Sequence, residues 1–356
     1  MSKRLLMVFG AAVILSLALG ILLPPSWTLA LRRFGDHEAG ERARIAAVRA
    51  LGRLGPEAVP VLCEKLRHPD PRIRREAVFA LYELAEEARA AVPALCAALK
   101  DKDVDVRMWS ATTLGRTGPA AEEAVPALGA ALKDNHLEVR HCVAEALLEL
   151  GPLARPALPA LSDALEDGDL DVRQSVVALL RQFDGCGAAV LGKVLKDKDG
   201  GLRITAAEAL AKMGSEARGA VLSLAEALQD PNAYLRERAT QALKRIGPQA
   251  KAAVPALTKA LGDPNALVRV QAALALWHVD QQSDQVLPVL IRALKDPDAD
   301  IRQRAAKGLG ALGPKASEAV PALLALLRAP ESDVRMSAAT ALKKVRSDDP
   351  APANTR

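Results

Sequence analysis

Residues 296–323 read DPDADIRQRAAKGLGALGPKASEAVPAL. In this stretch Asp296 stands six residues before Arg302, Ile301 directly before it and Leu309 seven after it. Offsets of −1, +3, +6, +7 and +10 from the arginine select Ile301, Ala305, Gly308, Leu309 and Leu312, which share one helical face. Gly313-Pro314 stops that helix. Ala319-Val320-Pro321-Ala322-Leu323 then opens a second one, with its proline in the first turn, where a missing N–H leaves no hydrogen bond unmade.

The same pattern recurs along the chain. Its arginine stands at Arg44, Arg74, Arg107, Arg140, Arg173, Arg203, Arg236, Arg269, Arg302 and Arg335. The steps are 33 residues, except for 30 from Arg44 to Arg74 and from Arg173 to Arg203. A leucine follows seven residues later every time, from Leu51 to Leu342. Each unit thus reads as a helix A, with the Ala-Val-Pro-Ala-Leu start, and a helix B, which carries the arginine. The +3 and +6 positions are mostly alanine, so neighbouring backbones approach closely and a core with few aromatics still packs densely. A shortened loop explains each 30-residue step, and Asp184-Gly185-Cys186-Gly187 marks the second.

An aspartate recurs with the arginine, giving the ladder Asp101, Arg107, Asp134, Arg140, Asp167, Arg173, Asp197, Arg203, Asp230, Arg236, Asp263, Arg269, Asp296 and Arg302. His68 and Ala329 take the aspartate's place in the first and last full units. The aspartate is expected to cap helix B, and the arginine to reach a corner aspartate in its own or the adjacent unit. Read as exposed pairs worth about 0.2–1 kcal/mol each, they set the register of stacking and are not a catalytic set.

These residues resemble the HEAT repeat, and within it the short type named after phycobilisome lyases. The resemblance covers about Ala43 to Arg346 and is carried by Asp-x5-Arg, Ala-Ala-x-Ala-Leu-Gly-x-Leu-Gly-Pro and Ala-Val-Pro-Ala-Leu. It implies an all-α fold, a right-handed α-α superhelix whose B helices line the concave side. Nine helix pairs from about Glu57 to Arg346 are expected, after one lone B helix over about 38–54 that Trp27 to Phe34 caps as a degenerate A helix. One repeat cannot bury its own apolar face, and stacked neighbours complete a shared core. The resemblance implies no single function, since the family mostly supplies scaffolds and docking surfaces and only a few members are enzymes or lyase subunits.

The chain has 356 residues, 50% of them apolar and only 3% aromatic. Charged residues at 26% with ample leucine and valine exclude global disorder. The net charge is +5, but Lys3, Arg4, Arg32 and Arg33 carry most of it, leaving +1 from Phe34 onward. That balance argues against nucleic-acid binding, whose footprint is a basic face. Four cysteines exclude a disulfide-stapled scaffold.

Leu5 to Leu23 is an uncharged run of 19 residues, closed by Pro24-Pro25. About 20 apolar residues span a bilayer as a helix. The run is long for a signal peptide, yet Thr28-Leu29-Ala30 is a tolerable cleavage site. Residues 1–30 are therefore an N-terminal hydrophobic helix, either a membrane anchor or a cleaved signal. Residues 31–37 link it to a solenoid over 38–346, and 347–356 is a disordered tail. Either reading places the solenoid outside the cytoplasm, tethered through residues 5–23 or secreted.

Motifs that carry chemistry are absent: no His-Glu-x-x-His, no Cys-x-x-Cys, no phosphate-binding glycine loop and no nucleophile elbow. His136, His141 and Cys142 are close in sequence but off one another's helical face. No metal, cofactor or catalytic residue is assigned. Cys63 and Cys96 occupy a small-residue packing position. The two residues after each arginine should point away from the core. There Met108, Trp109, His141 and Cys142, with Arg75 beside them, form a larger, less charged cluster, the composition of an interface. Tyr82, Trp277, and Leu324 with Leu326 read as local packing. The expected function is a non-catalytic scaffold that docks a protein or peptide partner on its B helices. The alternative is a lyase-like enzyme or subunit that handles a chromophore or other small ligand.

Overall fold

The computed structural model describes residues 41–281 and 283–346. The expected anchor or signal, the linker, the Trp27 to Phe34 cap and the tail lie outside the described residues. Among the described residues every regular element is helical, and no helix is long and apolar enough to cross a membrane.

The B helices are α1 (Glu41–Gly52), α3 (Pro71–Leu84), α5 (Val104–Arg116), α7 (Leu137–Leu150), α9 (Leu170–Leu180), α11 (Gly200–Met213), α13 (Ala233–Ile246), α15 (Ala266–Asp280), α17 (Ala299–Leu312) and α19 (Ser332–Arg346). The A helices alternate with them: α2 (Val59–Lys65), α4 (Val92–Ala98), α6 (Val125–Ala131), α8 (Leu158–Ala164), α10 (Ala188–Val194), α12 (Val221–Ala227), α14 (Val254–Ala260), α16 (Ser283–Ala293) and α18 (Val320–Leu326). Among the described residues this is the expected lone B helix followed by nine A–B pairs.

A short 3-10 turn joins most B helices to the next A helix. It runs seven residues at Gly118–Ala124 and contracts to three at Pro56–Ala58 and Gly185–Gly187. These contractions are the two 30-residue steps. The chain divides into two compact units just before the second contraction, one ending at Phe183 and one beginning at Asp184.

The leucine seven after each arginine is buried in every B helix, at 0–1% exposure from Leu51 to Leu309 and 7% at Leu342. Small residues let the B helices touch: a Cβ on Gly115 would stand 2.9 Å from the Ala146 Cα on α7. In α5 the small positions hold Ser110 and Thr113, whose buried hydroxyls donate to the Val106 and Trp109 carbonyls at 2.6 Å each. That bond satisfies each hydroxyl inside the core.

Most corners after helix B take a positive φ, the corner after α9 at Asp184 (φ −63°) being an exception. Gly55, Gly118, Gly151, Gly214, Gly247 and Gly313 supply it with φ between 55° and 79°. Ala85 occupies the same corner at φ 48°, ψ −121°, a backbone conformation that costs a residue with a Cβ about 1–3 kcal/mol. Ala85→Gly is therefore expected to raise stability by about 1 kcal/mol, after the greater chain entropy of glycine is subtracted. A urea midpoint that stays put or falls would contradict it.

Candidate interaction surface

The Asp–Arg ladder fixes how the B helices sit side by side. Arg74 Nε and Nη2 each donate to the Asp101 carboxylate at 2.7 Å, a planar two-point pair reaching into the next repeat. Arg107 reaches Asp134 at 2.7 and 3.0 Å, Arg140 reaches Asp167 at 2.6 and 3.2 Å, and Arg236 reaches Asp263 at 2.7 and 2.9 Å. Arg203 pairs with Asp230 at 2.9 Å. The remaining Nη1 donates to carbonyls of the arginine's own corner, as from Arg236 to Asp230 O at 2.9 Å. Arg173, Arg269 and Arg302 do the same at Asp167 O, Asp263 O and Asp296 O, at 2.8, 2.8 and 2.7 Å. Where Ala329 lacks a carboxylate, Arg302 reaches Glu331 at 2.8 Å instead. The partner is thus the adjacent unit's aspartate, and the arginine's own unit supplies only backbone.

Two sequence expectations need correction here. The pairs are not exposed: the Arg236 and Asp263 side chains keep only 10% and 6% of their surface. The ladder aspartate also does not cap helix B. Its carboxylate accepts the N–H two residues on, as Asp101 does from Asp103 at 2.8 Å and Asp197 from Asp199 at 2.7 Å, which tightens the corner. The cap is that next residue: Asp103 accepts from Val106 N at 3.2 Å, and Asn265 from Leu267 N at 2.9 Å. In the first full unit His68 stands in for the aspartate, its Nδ1 accepting from Asp70 N at 3.0 Å.

Burial opposes ionisation of Asp134, Asp167 and Asp263, but the paired guanidinium and the corner N–H outweigh it and hold each carboxyl below the usual range. The same pairing raises Arg74, Arg140 and Arg236, against the pull of burial.

The pinned B helices present their +1, +2, +5 and +8 side chains together. In α5 the Trp109 ring meets Phe79 edge-on, with centroids 5.2 Å apart and planes at 90°, and meets Tyr82 at 4.8 Å and 63°. Arg116 lies over the Tyr82 ring at 4.3 Å. Three of the nine aromatic residues in the sequence thus meet on one patch spanning α3 and α5. Met108, Trp109, His141 and Cys142 are each half-buried. Arg75 is exposed but engaged, donating to Asp103 at 2.9 and 2.6 Å. His141 pairs with Glu145 at 3.3 Å. Of the predicted partner residues, Trp109 is the one that packs on these rings, against Phe79 and Tyr82, two residues outside that set. Phe79 is five residues after Arg74, a B-face offset that the sequence reading did not weigh.

Burial raises the Cys142, Cys63 and Cys96 thiols above their ordinary value, the wrong direction for a thiolate nucleophile. No group of three His, Cys, Asp or Glu side chains among the described residues is placed to hold a metal. A cleft of about 500 Å³ lies at the corner formed by Lys100, Asp101, Arg107, Lys133, Asp134 and His136. Its central polar groups, Arg107 and Asp134, are spent on each other. The last A helix buries Leu326 and leaves Leu324 42% exposed.

A family model described as HEAT repeats matches residues 36–115, 59–148, 92–181, 158–223, 221–298 and 287–353. The chain belongs to the HEAT-repeat family. No curated protein matches this HEAT-repeat chain. Among solved structures it is similar to Kap121p, at 16% identity and a TM-score of 0.56, covering 89% of this chain and 41% of that one. Kap121p bound to Pho4p gives 15%, 0.53, 89% and 41%. Importin beta gives 16%, 0.52, 90% and 51%. At this identity the likeness is one of fold. The HEAT-repeat chain spans about half or less of the length of these proteins.

Proposed function

We propose that this HEAT-repeat chain is a non-catalytic scaffold that holds a protein or peptide partner on its B-helix face. The observation that carries the proposal is the patch of Phe79, Tyr82 and Trp109, with Met108 next to Trp109 in sequence, on the helices α3 and α5 that the Arg74–Asp101 rung ties together. A preformed surface spends little ordering entropy on association, and aromatic and methionine side chains are the usual interface anchors. The solved relatives are in keeping with this, since some are described as Kap121p bound to Pho4p or to Nup53p. The near-constant 33-residue period and the Gly-Pro corners support the short phycobilisome-lyase-like type of repeat. Residues 5–23 are proposed to tether the scaffold to a membrane or to direct its export.

The test is a peptide-display selection against the intact chain, followed by affinity measurements. Selected peptides are expected to lose about tenfold or more in affinity on Met108→Glu or Trp109→Ala, a loss of the size expected at an interface hot spot. Changes at the exposed A-helix prolines Pro126 and Pro255 should leave affinity as it is. A selection that enriches nothing, or peptides indifferent to both patch variants, would overturn the proposal. Mass spectrometry of membrane and soluble fractions tests the tether: a full chain found only in the soluble cytoplasm would remove it.

A further inference from the structure

The B face of the second unit is built differently at α15. The two residues after its arginine, Val270 and Gln271, are 0% and 7% exposed, and Leu274 is 8%. The sequence places Val270 and Gln271 facing away from the core, the side on which Arg75 of α3 is exposed. Leu274 leans on α17 where Gly308 leaves room, so that a Cβ on Gly308 would stand 2.6 Å from Leu274 Cδ2. The ladder also skips a rung here: among the described residues Arg269 forms no ion pair with Asp296. The unit departs from the repeat again at Gln281, left-handed at φ 52°, and in α16, which runs 11 residues with Pro288 inside it. The result is a sealed floor, Val270, Gln271 and Leu274, flanked by side chains of α13 and α17.

The groups above that floor are cationic. Lys244 of α13 is half-buried, lies close enough to Arg245 and Arg304 to feel both charges, and has no ion pair among the described residues. His278 of α15 spends Nδ1 on the Leu274 carbonyl at 2.8 Å and lies close enough to Lys244 to feel its charge. The carboxylates nearby are taken: Glu237 pairs with Arg238 at 3.4 Å and Asp300 with Arg304 at 2.7 Å. Trp277 adds apolar surface, with Lys315 Nζ 5.0 Å from its ring centroid. Burial and like-charged neighbours both push the Lys244 ammonium down. A half-buried cation without a counter-ion is a cost that an arriving carboxylate would remove.

We infer that the floor of α15 and Lys244 of α13, with Arg304 of α17 close by, form a docking site for an acidic peptide segment of a partner protein. Charge complementarity selects the acidic partner. The few, partly sunken cations beside Trp277 suit carboxylates interleaved with an apolar residue, where a nucleic-acid backbone would need a broad row of exposed cations. The inference rests on the scaffold reading above and names the partner chemistry for this unit.

The probe is a fluorescein-labelled peptide of Glu-Glu-Leu repeats, read by anisotropy with the full chain. Binding is expected to weaken about tenfold or more in K244E/R304E and less than twofold in Lys251→Glu, an exposed cation off this face. Lys244→Met keeps the fold safe, because it removes a half-buried charge that has no ion pair among the described residues. It should hold or raise the melting temperature while still weakening the probe severalfold. Equal binding of a Lys-Lys-Leu probe, or affinity unchanged in K244E/R304E and Lys244→Met, would overturn the acidic assignment. Tighter binding of a single-stranded oligonucleotide would overturn it in favour of nucleic acid. Peptides that the display selection places on the Trp109 patch would survive any of those results, so the scaffold reading stands or falls separately.

Discussion

Replacing Asp263 by alanine is expected to lower the unfolding free energy by about 3–5 kcal/mol, the cost of breaking a buried ion pair from one side. Arg236 would keep its guanidinium in place, with a side chain only 10% exposed, and lose both bonds to the carboxylate. The corner would also lose the acceptor for Asn265 N–H, now at 2.8 Å. The double variant R236M/D263N should cost less than the single change, because it leaves no unpaired charge and the amide oxygen it introduces still accepts at the corner. Urea melts of the two variants decide the point, and a loss under about 1 kcal/mol in D263A would show that the pair behaves as a surface one. The same carboxylates set the acid limit. Asp134, Asp167 and Asp263 have folded pKa values below the unfolded one, so their stabilisation is complete above the unfolded value of about 3.9 and fades as pH falls through the folded values. Stability should hold steady down to about pH 5 and drop below about pH 4.

The second large effect is expected from Leu114→Ala. Leu114 is fully buried in α5, at 0% exposure. Truncation removes apolar contacts and leaves a cavity, at about 2–5 kcal/mol. The loss should not stay in one repeat. The α5 helix packs on α3 before it and α7 after it, and stacked repeats share their stability with nearest neighbours. Hydrogen exchange should therefore speed up in all three helices and recover beyond them. Faster exchange confined to α5 would argue that each helix pair holds itself together.

Much of this was legible in the residues. Leu309, Gly313 and Arg302 announce their places because each is demanded locally, by a helical face, a positive φ and a corner. The helix count among the described residues, the two 30-residue steps and the turn at Asp184 that marks the second followed from spacing. The direction of each rung did not, because an arginine reaching backward or forward by one unit gives the same sequence. Nor did the roles within the corner, where Asp101 and Asp103 are chemically alike and only the backbone shows which one caps. The meeting of Phe79, Tyr82 and Trp109, and the sinking of Val270 and Gln271, depend on the lateral fit of neighbouring helices. A single repeat's periodicity carries no information on that fit.

The forward reach of the ladder bears on how such a chain grows. Wherever a rung forms, a unit contributes one anion to the unit before it and one cation to the unit after it, so its charge account with its neighbours balances. A duplicated stretch of whole units arrives with its rungs already matched at both junctions, whereas a crossover that splits a unit strands a buried charge. Insertion of whole units is thus expected to cost less stability than insertion of a part, because only the second leaves a buried charge unpaired. The leucines and arginines that recur from Arg44 to Arg335 mark the register that any such junction has to keep.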